Sequence, residues 1–477
     1  MVHSLNITIN SVEVAEQSVR FRLPFRFGQS TLDEASQVFL RVSVSAAGGR
    51  TAQGLAASLL VPKWFDKTPD RADSLNIEHL RRALELAAQA YQSDKTRRTG
   101  FGHFALHYEQ VLAAAAAEGI NPLTAGFGPA LLDAAIADAT GRLAGLSFYE
   151  LARQNLLGFD PAQVVADLDA FEIDAWLRML RPNHLMAARH TIGLLDPIEA
   201  LPEPHRSTRD GLPETLPDII ERYGHRHFKL KVSGDIRVDL ARLEQIAAVL
   251  DQSPQEYLAT LDGNEQFDEI EPLEQLWRQM EETPRLARLV RSIGFIEQPI
   301  RRAAAKRLSV CALARRKPLV IDESDDSLNA FTQARELGYS GVSSKLCKGL
   351  YKSLINAARC EAHNRQGGHL FMTAEDLSNQ AGVAVQQDLA LVSLIGLNHV
   401  ERNGHHYVDG FAGSPPQVPE SFQQDHGDLY SDESGATRLN IRGGQLPIRS
   451  LDCPGFALGY TAREALLSSL QTQFQSY

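Results

Sequence analysis

Between residues 5 and 61 apolar and polar positions alternate. Leu5-Asn6-Ile7-Thr8-Ile9 does so, and Val38-Phe39-Leu40-Arg41-Val42-Ser43-Val44 runs into Gly48-Gly49, so the segment reads as strands joined by a turn. From 74 to 155 the period lengthens. Leu80, Leu84 and Ala87 recur at helical spacing behind Ser74, which is placed to cap a helix, and 130–138 reads as a helix buried on all sides. Strands followed by helices predict a separate α+β domain over residues 1–155.

At about residue 186 the rhythm changes again. Short apolar runs at 186–193, 227–231, 258–262, 293–297, 318–322, 341–345, 369–373 and 397–401 alternate with amphipathic helices, such as 236–250 with Leu240, Leu243, Ile246 and Leu250 on one face. Eight strand–helix units over 186–410, at roughly 30 residues each, predict a (β/α)8 TIM-type barrel. A doubly wound open sheet would be expected to show a glycine-rich phosphate turn after its first strand, and no GxGxxG is present. Residues 411–477 open on Gly413-Ser414-Pro415-Pro416, gain helical periodicity only at 463–470, and are expected to pack back on the first domain.

Composition narrows the function. The 477 residues are 43% hydrophobic and carry a net charge of −11, which suits a large core and argues against nucleic acid or an anionic membrane as partner. An anionic substrate must then be held by local positive charge. Four cysteines without a CxxC pair fit a reducing compartment. With no signal-peptide pattern at the N-terminus and no apolar stretch approaching the ~20 residues of a membrane span, the expected location is cytoplasmic and the expected form a homo-oligomer.

The candidate chemistry lies where the runs end. One ends Lys229-Leu230-Lys231, the next three end in Asp262, Glu297 and Asp322, and the following one ends in Lys345. The C-terminal ends of barrel strands form the mouth where active residues gather. Three carboxylates on neighbouring strands make a hard, all-oxygen site suited to Mg²⁺. Lys229 and Lys231 share a face, and their mutual repulsion is expected to lower a lysine pKa toward that of a working base. With Lys345 beyond the carboxylates, a substrate on the metal would have a lysine on either side. Such a site suits abstraction of the proton alpha to a carboxylate, where a divalent ion stabilises the developing charge. Taken singly, a strand-end carboxylate is more often a cap or an ion pair, and KxK a solvated edge. Five in strand order at unit spacing are not explained that way.

At these residues the chain resembles the enolase superfamily, in its mandelate racemase/muconate lactonizing enzyme branch. Phe228-Lys229-Leu230-Lys231-Val232 is similar to the second-strand KxK motif, Leu261-Asp262-Gly263-Asn264 to the third-strand metal aspartate, Ile296-Glu297-Gln298-Pro299 to the fourth-strand motif, Ile321-Asp322-Glu323-Ser324 to the fifth, and Ser344-Lys345-Leu346-Cys347-Lys348-Gly349 to the sixth-strand lysine motif. The resemblance implies Mg²⁺ on Asp262, Glu297 and Asp322, Lys231 as base with Lys229 and Lys345 beside it, and a capping domain completed by the C-terminal tail. It implies racemization or epimerization, syn elimination, or cycloisomerization of a small carboxylate. A barrel that binds metal and ligand without catalysis is the alternative, and the retained pair Lys231 and Lys345 argues against it. The eighth run, Leu397-Asn398-His399-Val400-Glu401, lacks the DxD of dipeptide epimerases, and the stretches 158–185 and 200–217 are additional.

Arg20, Arg22 and Arg26, interleaved with Phe21, Phe25 and Phe27, fall in what the resemblance makes the closing loop. They are candidates to hold a second anionic group, against the plainer reading of a charged strand surface. Glu323 is a candidate to orient Lys345 or a substrate amine. Lys348 reads as solvated, and His399, His405 and His406 as an unlikely zinc cluster, because neighbours on an extended run face opposite ways.

Overall fold

A computed structural model describes residues 4–28, 30–199, 208, 210–433 and 435–477. Three long antiparallel strands, β1 (Ile7–Phe27), β2 (Ser30–Ala46) and β3 (Thr51–Leu60), form a sheet. Helices Asp73–Ser93, Gly100–Ala117 and Pro122–Ala144 cover it. Leu80, Leu84 and Ala87 face inward as their spacing requires. Ser74 lies inside the first turn and caps nothing, because the helix starts after Ala72. Pro122–Ala144 is buried almost end to end, with Asn121 accepting from the Thr124 amide at its start and Gly145 closing it at φ 67°.

The second unit is a ring of eight parallel strands: β4 (Leu185–Ile192), β5 (His227–Lys231), β6 (Leu258–Asp262), β7 (Ile293–Glu297), β8 (Leu319–Ile321), β9 (Gly341–Ser344), β10 (Phe371–Ala374) and β11 (His399–Glu401). Ladders join consecutive strands from β4 to β10, and β11 pairs with β4. The ring is therefore an α/β barrel with one seam, between β10 and β11. Side chains stitch that seam. Arg189 donates to the Ala374 carbonyl at 2.9 Å, and Glu401 accepts from the Asp376 amide at 2.9 Å.

Alternation along each strand decides what lies on either side of the wall. Phe228, Leu230, Leu261, Ile296 and Ile321 point outward into one apolar cluster with Leu243, Leu276 and Trp277 of the covering helices. Lys229, Lys231, Asp262, Glu297, Glu375 and Glu401 point inward and are all buried. The eighth strand departs from the repeat: the helix that directly follows it, Gly404–Tyr407, is a single turn.

The C-terminal stretch has more structure than its composition suggests. It holds the helix Gln417–Asp425, the hairpin β12 (Tyr430–Glu433) and β13 (Ala436–Leu439), β14 (Gln445–Pro447), the helix Tyr460–Leu470 and β15 (Gln475–Ser476). β14 adds antiparallel to the start of β4, and β15 adds to β1. The close pass of Gly224 (φ 69°) over Gly443, where a Cβ would sit 2.8 Å from its neighbour's Cα, lets the tail reach β4. Among the described residues no helix is long and apolar enough to cross a membrane. The four cysteines are free.

Candidate active site

Register explains how the strand-end residues meet. Lys231 lies level with Asp262 across β5 and β6, and Asp262 level with Glu297 across β6 and β7. On β8 the residue level with Glu297 is Val320, which puts Asp322 one inward step nearer the mouth; Lys345 stands past the end of β9 in the same way. Just beyond the strand ends, Asn264, Glu265 and Gln298 hold φ of 40°, 68° and 31°, a strained backbone of the kind that collects at functional sites.

At the centre the Lys229 ammonium bridges four carboxylates, Asp262, Glu297 and Glu375 at 2.9 Å and Glu401 at 3.0 Å. Lys231 donates to Asp262 at 2.5 Å. Lys345 donates to Asp322 at 2.7 Å and stands 4.1 Å from the centre of the Trp64 ring, while Ser343 also bonds Asp322. Lys348 is buried on Asp322 and Asp325, not solvated. Asp262, Glu297 and Asp322 do not share one coordination sphere as they stand. Lys229 bridges the first two, and the third turns to Lys345, Lys348 and Ser343.

At Lys229 itself, repulsion from Lys231 does not decide the charge. Burial disfavours the Lys229 ammonium, but Asp262, Glu297, Glu375 and Glu401 outweigh it and raise its pKa well above the ordinary value. Lys345 is raised too, Asp322 outweighing burial. Glu297 carries the opposite strain: burial, with Asp262 and Glu375 beside it, pushes its pKa well up, and its Oε2 is buried without a hydrogen-bond partner. Negative charge is thus in excess at this point. An all-oxygen donor set with an unspent carboxylate oxygen is chemically suited to Mg²⁺.

Over the lysines lies a small cavity of about 20 Å³, room for about one water. Its polar side is Lys229, Lys231, Lys345, Asn264, Asp376 and Glu401; its roof is Phe25, Phe27, Leu32, Val61 and Trp64 from the first domain, with Leu377. The roof must lift to admit a substrate.

None of the three candidate arginines lines this cavity. Arg20 is exposed on β1 opposite Glu34, and Arg26 is half-buried with its Nε unpartnered. Arg22 spends its donors on Asp210 and on the carbonyls of His406, Leu212 and Pro213. It ties the roof strand to the loop after β4; part of the added stretch 200–217, namely 200–207 and 209, lies outside the described residues. Glu323 bonds Lys67 at 3.1 Å and Asn264, not Lys345, and Lys67 also pairs with Glu265 at 2.9 Å. The pair latches the first domain to the barrel. Arg22→Ala should release the roof. Hydrogen exchange of the amides in 20–32 is expected to rise about ten- to hundredfold, the equivalent of a lost charged hydrogen bond, and an unchanged rate would show that Arg22 is not the tie.

The sequence reading passed over Arg189, Glu375 and Glu401. Glu401 ends the eighth apolar run and Glu375 stands two residues past the seventh, so the strand-end rule extended to all eight runs points to both, whereas Arg189 lies inside the first run and no strand-end signal marks it.

Comparison with known proteins follows the same lines. The family model described as enolase C-terminal domain-like matches residues 212–429. The fold is similar to that of an enolase from Bradyrhizobium complexed with magnesium and mandelic acid (17% identity, 98% of this chain and 99% of that one, TM-score 0.57). It is also similar to 2-chloromuconate cycloisomerase from Rhodococcus opacus 1CP (16%, 97% and 99%, 0.59) and to muconate lactonizing enzyme from Pseudomonas fluorescens complexed with muconolactone (19%, 97% and 99%, 0.56). No curated protein matches the sequence.

Proposed function

We propose that the chain, whose residues 212–429 match the enolase C-terminal domain-like family model, is a member of the mandelate racemase/muconate lactonizing enzyme branch of the enolase superfamily and an Mg²⁺-dependent enzyme that removes the proton alpha to a carboxylate. The observation that carries this reading is the placement of two lysines. Lys231 ends β5 and Lys345 follows β9, four strands apart in a ring of eight, so they face each other across the mouth and line the same cavity.

Asp262, Glu297 and Asp322 would hold the ion. Mg²⁺ supplies positive charge where a second negative charge develops on the substrate carboxylate. Asp262 and Asp322 are the present partners of Lys231 and Lys345, so carboxylates committed to an ion would leave a lysine free on each side of the mouth. Lys231 takes the alpha proton. Lys345 returns one from the other side in a racemization or epimerization, or steadies the anion in an elimination or cycloisomerization. Lys229 stays charged between Glu375 and Glu401 and offsets part of their negative charge at the floor of the site. The roof of Phe25, Phe27, Leu32, Val61 and Trp64 favours a substrate with an apolar group beside its carboxylate and excludes water from the reacting carbon.

The test is solvent deuterium incorporation into a panel of carboxylates with apolar alpha substituents, with Mg²⁺ and with EDTA. Exchange at the alpha carbon is expected only with Mg²⁺ and only when Asp262 is intact. Tight Mg²⁺ binding with no exchange or turnover across the panel would instead favour a binding barrel without catalysis.

A further inference from the structure

On the outer side of the barrel wall, opposite the carboxylates, three buried histidines converge. His190 lies on β4 between Arg189 and Thr191, whose side chains reach inward to Glu375 and Glu401; His190 therefore faces out. His225 precedes β5, and His405 lies in the helix Gly404–Tyr407 after β11. All three are at most 3% exposed, and one ring nitrogen of each lies within 4.8 Å of the other two.

We propose that His190, His225 and His405 form a second metal site, for a nitrogen-preferring divalent ion of the Zn²⁺ class, separate from the carboxylate centre.

Three observations carry it. His225 donates from Nδ1 to the Ala188 carbonyl at 3.0 Å, which fixes its tautomer and turns an Nε2 lone pair toward the cluster. A backbone carbonyl on the far ring nitrogen is the usual support of a metal-binding histidine. Second, His225 Nε2 and His405 Nε2 are 3.3 Å apart. Two nitrogens on one tetrahedral zinc, each at about 2.0–2.1 Å, stand about 3.3 Å apart. Third, His190 Nδ1 is buried without a hydrogen-bond partner, which a bound ion would supply.

The residues suit the ion in other ways. Burial pushes His225 down to about 4 and holds His190 and His405 well below the ordinary histidine value, which favours the neutral form that binds metal. His405 needs only to move its proton from Nε2 to Nδ1, so the bound state releases none. His225 borders a surface cavity of about 440 Å³, which gives an ion a route in. A metal here would pin β4, the turn before β5 and the short helix after β11.

A second trio, Asp94, His103 and His107, is less suited, because the Asp94 oxygen facing the histidines already accepts from Arg98 at 2.6 Å.

Co²⁺ titration of the whole protein in saturating Mg²⁺ tests the proposal. One equivalent is expected to give the strong visible bands of a four-coordinate, nitrogen-ligated ion. His225→Asn and His405→Asn should each weaken that binding more than about tenfold, while Asp262→Asn and His103→Asn leave it intact. X-ray absorption of the wild-type complex decides the matter even if a variant fails to fold, since imidazole scattering is expected. Absence of the bands, an oxygen-only shell, or bands that vanish with His103→Asn but survive His225→Asn would overturn the site.

Discussion

Replacing Lys231 with alanine is expected to lower turnover by 10² to 10⁴-fold, on the order of what a positioned general base contributes, with the fold unchanged. Lys231 donates to Asp262 alone, and that carboxylate keeps the Lys229 ammonium, so little of the buried charge balance is disturbed. Lys345→Ala separates the possible reactions. In a racemase or epimerase it abolishes turnover yet leaves Lys231 able to exchange the alpha proton of one stereoisomer with solvent. In an elimination it slows product formation, and neither isomer need exchange. Near wild-type turnover in both variants on the true substrate would refute the two-lysine mechanism.

Lys229→Met is expected to act on stability. It leaves Asp262, Glu297, Glu375 and Glu401 around an apolar side chain. Removing one partner from a buried ionic cluster costs about 3–5 kcal/mol, readable as a shift in the urea midpoint in EDTA. The loss should have a pH signature. Glu297 has a folded pKa already raised by burial, Asp262 and Glu375, so it binds a proton more readily folded than unfolded. A group of this kind gains stability as pH falls through its folded value and loses it as pH rises. The deficit of Lys229→Met should therefore shrink toward mildly acidic pH and widen above it. Mg²⁺ should restore much of it at neutral pH. An unchanged midpoint in EDTA would show that Lys229 does not hold the cluster together.

Much of this centre is legible in the sequence because barrel strands carry their message in two residues. Phe228 and Leu230 bury outward while Lys229 and Lys231 point in, and 227–231, 258–262 and 293–297 match the observed strands end to end. What the sequence does not display is direction in long or bent segments. β1 slips register against β2 between Arg20 and Phe25. That irregularity helps turn Phe25 and Phe27 to the site and leaves the arginines elsewhere, and no local pattern marks it. The bond of Arg22 to Asp210 spans 188 residues. Nor does local sequence show that two further carboxylates would crowd Lys229, because the charge at the end of β11 looks like any strand-end glutamate until the ring closes.

The seam between β10 and β11 has a mechanical meaning. A ring laced all round by backbone bonds resists any change of bore, whereas a slit ring behaves as a spring clip. Here the clasp is built from Arg189, Glu375, Asp376 and Glu401, and two of these also touch the central ammonium. A change of charge at the centre would therefore reach the clasp directly, through Glu375 and Glu401.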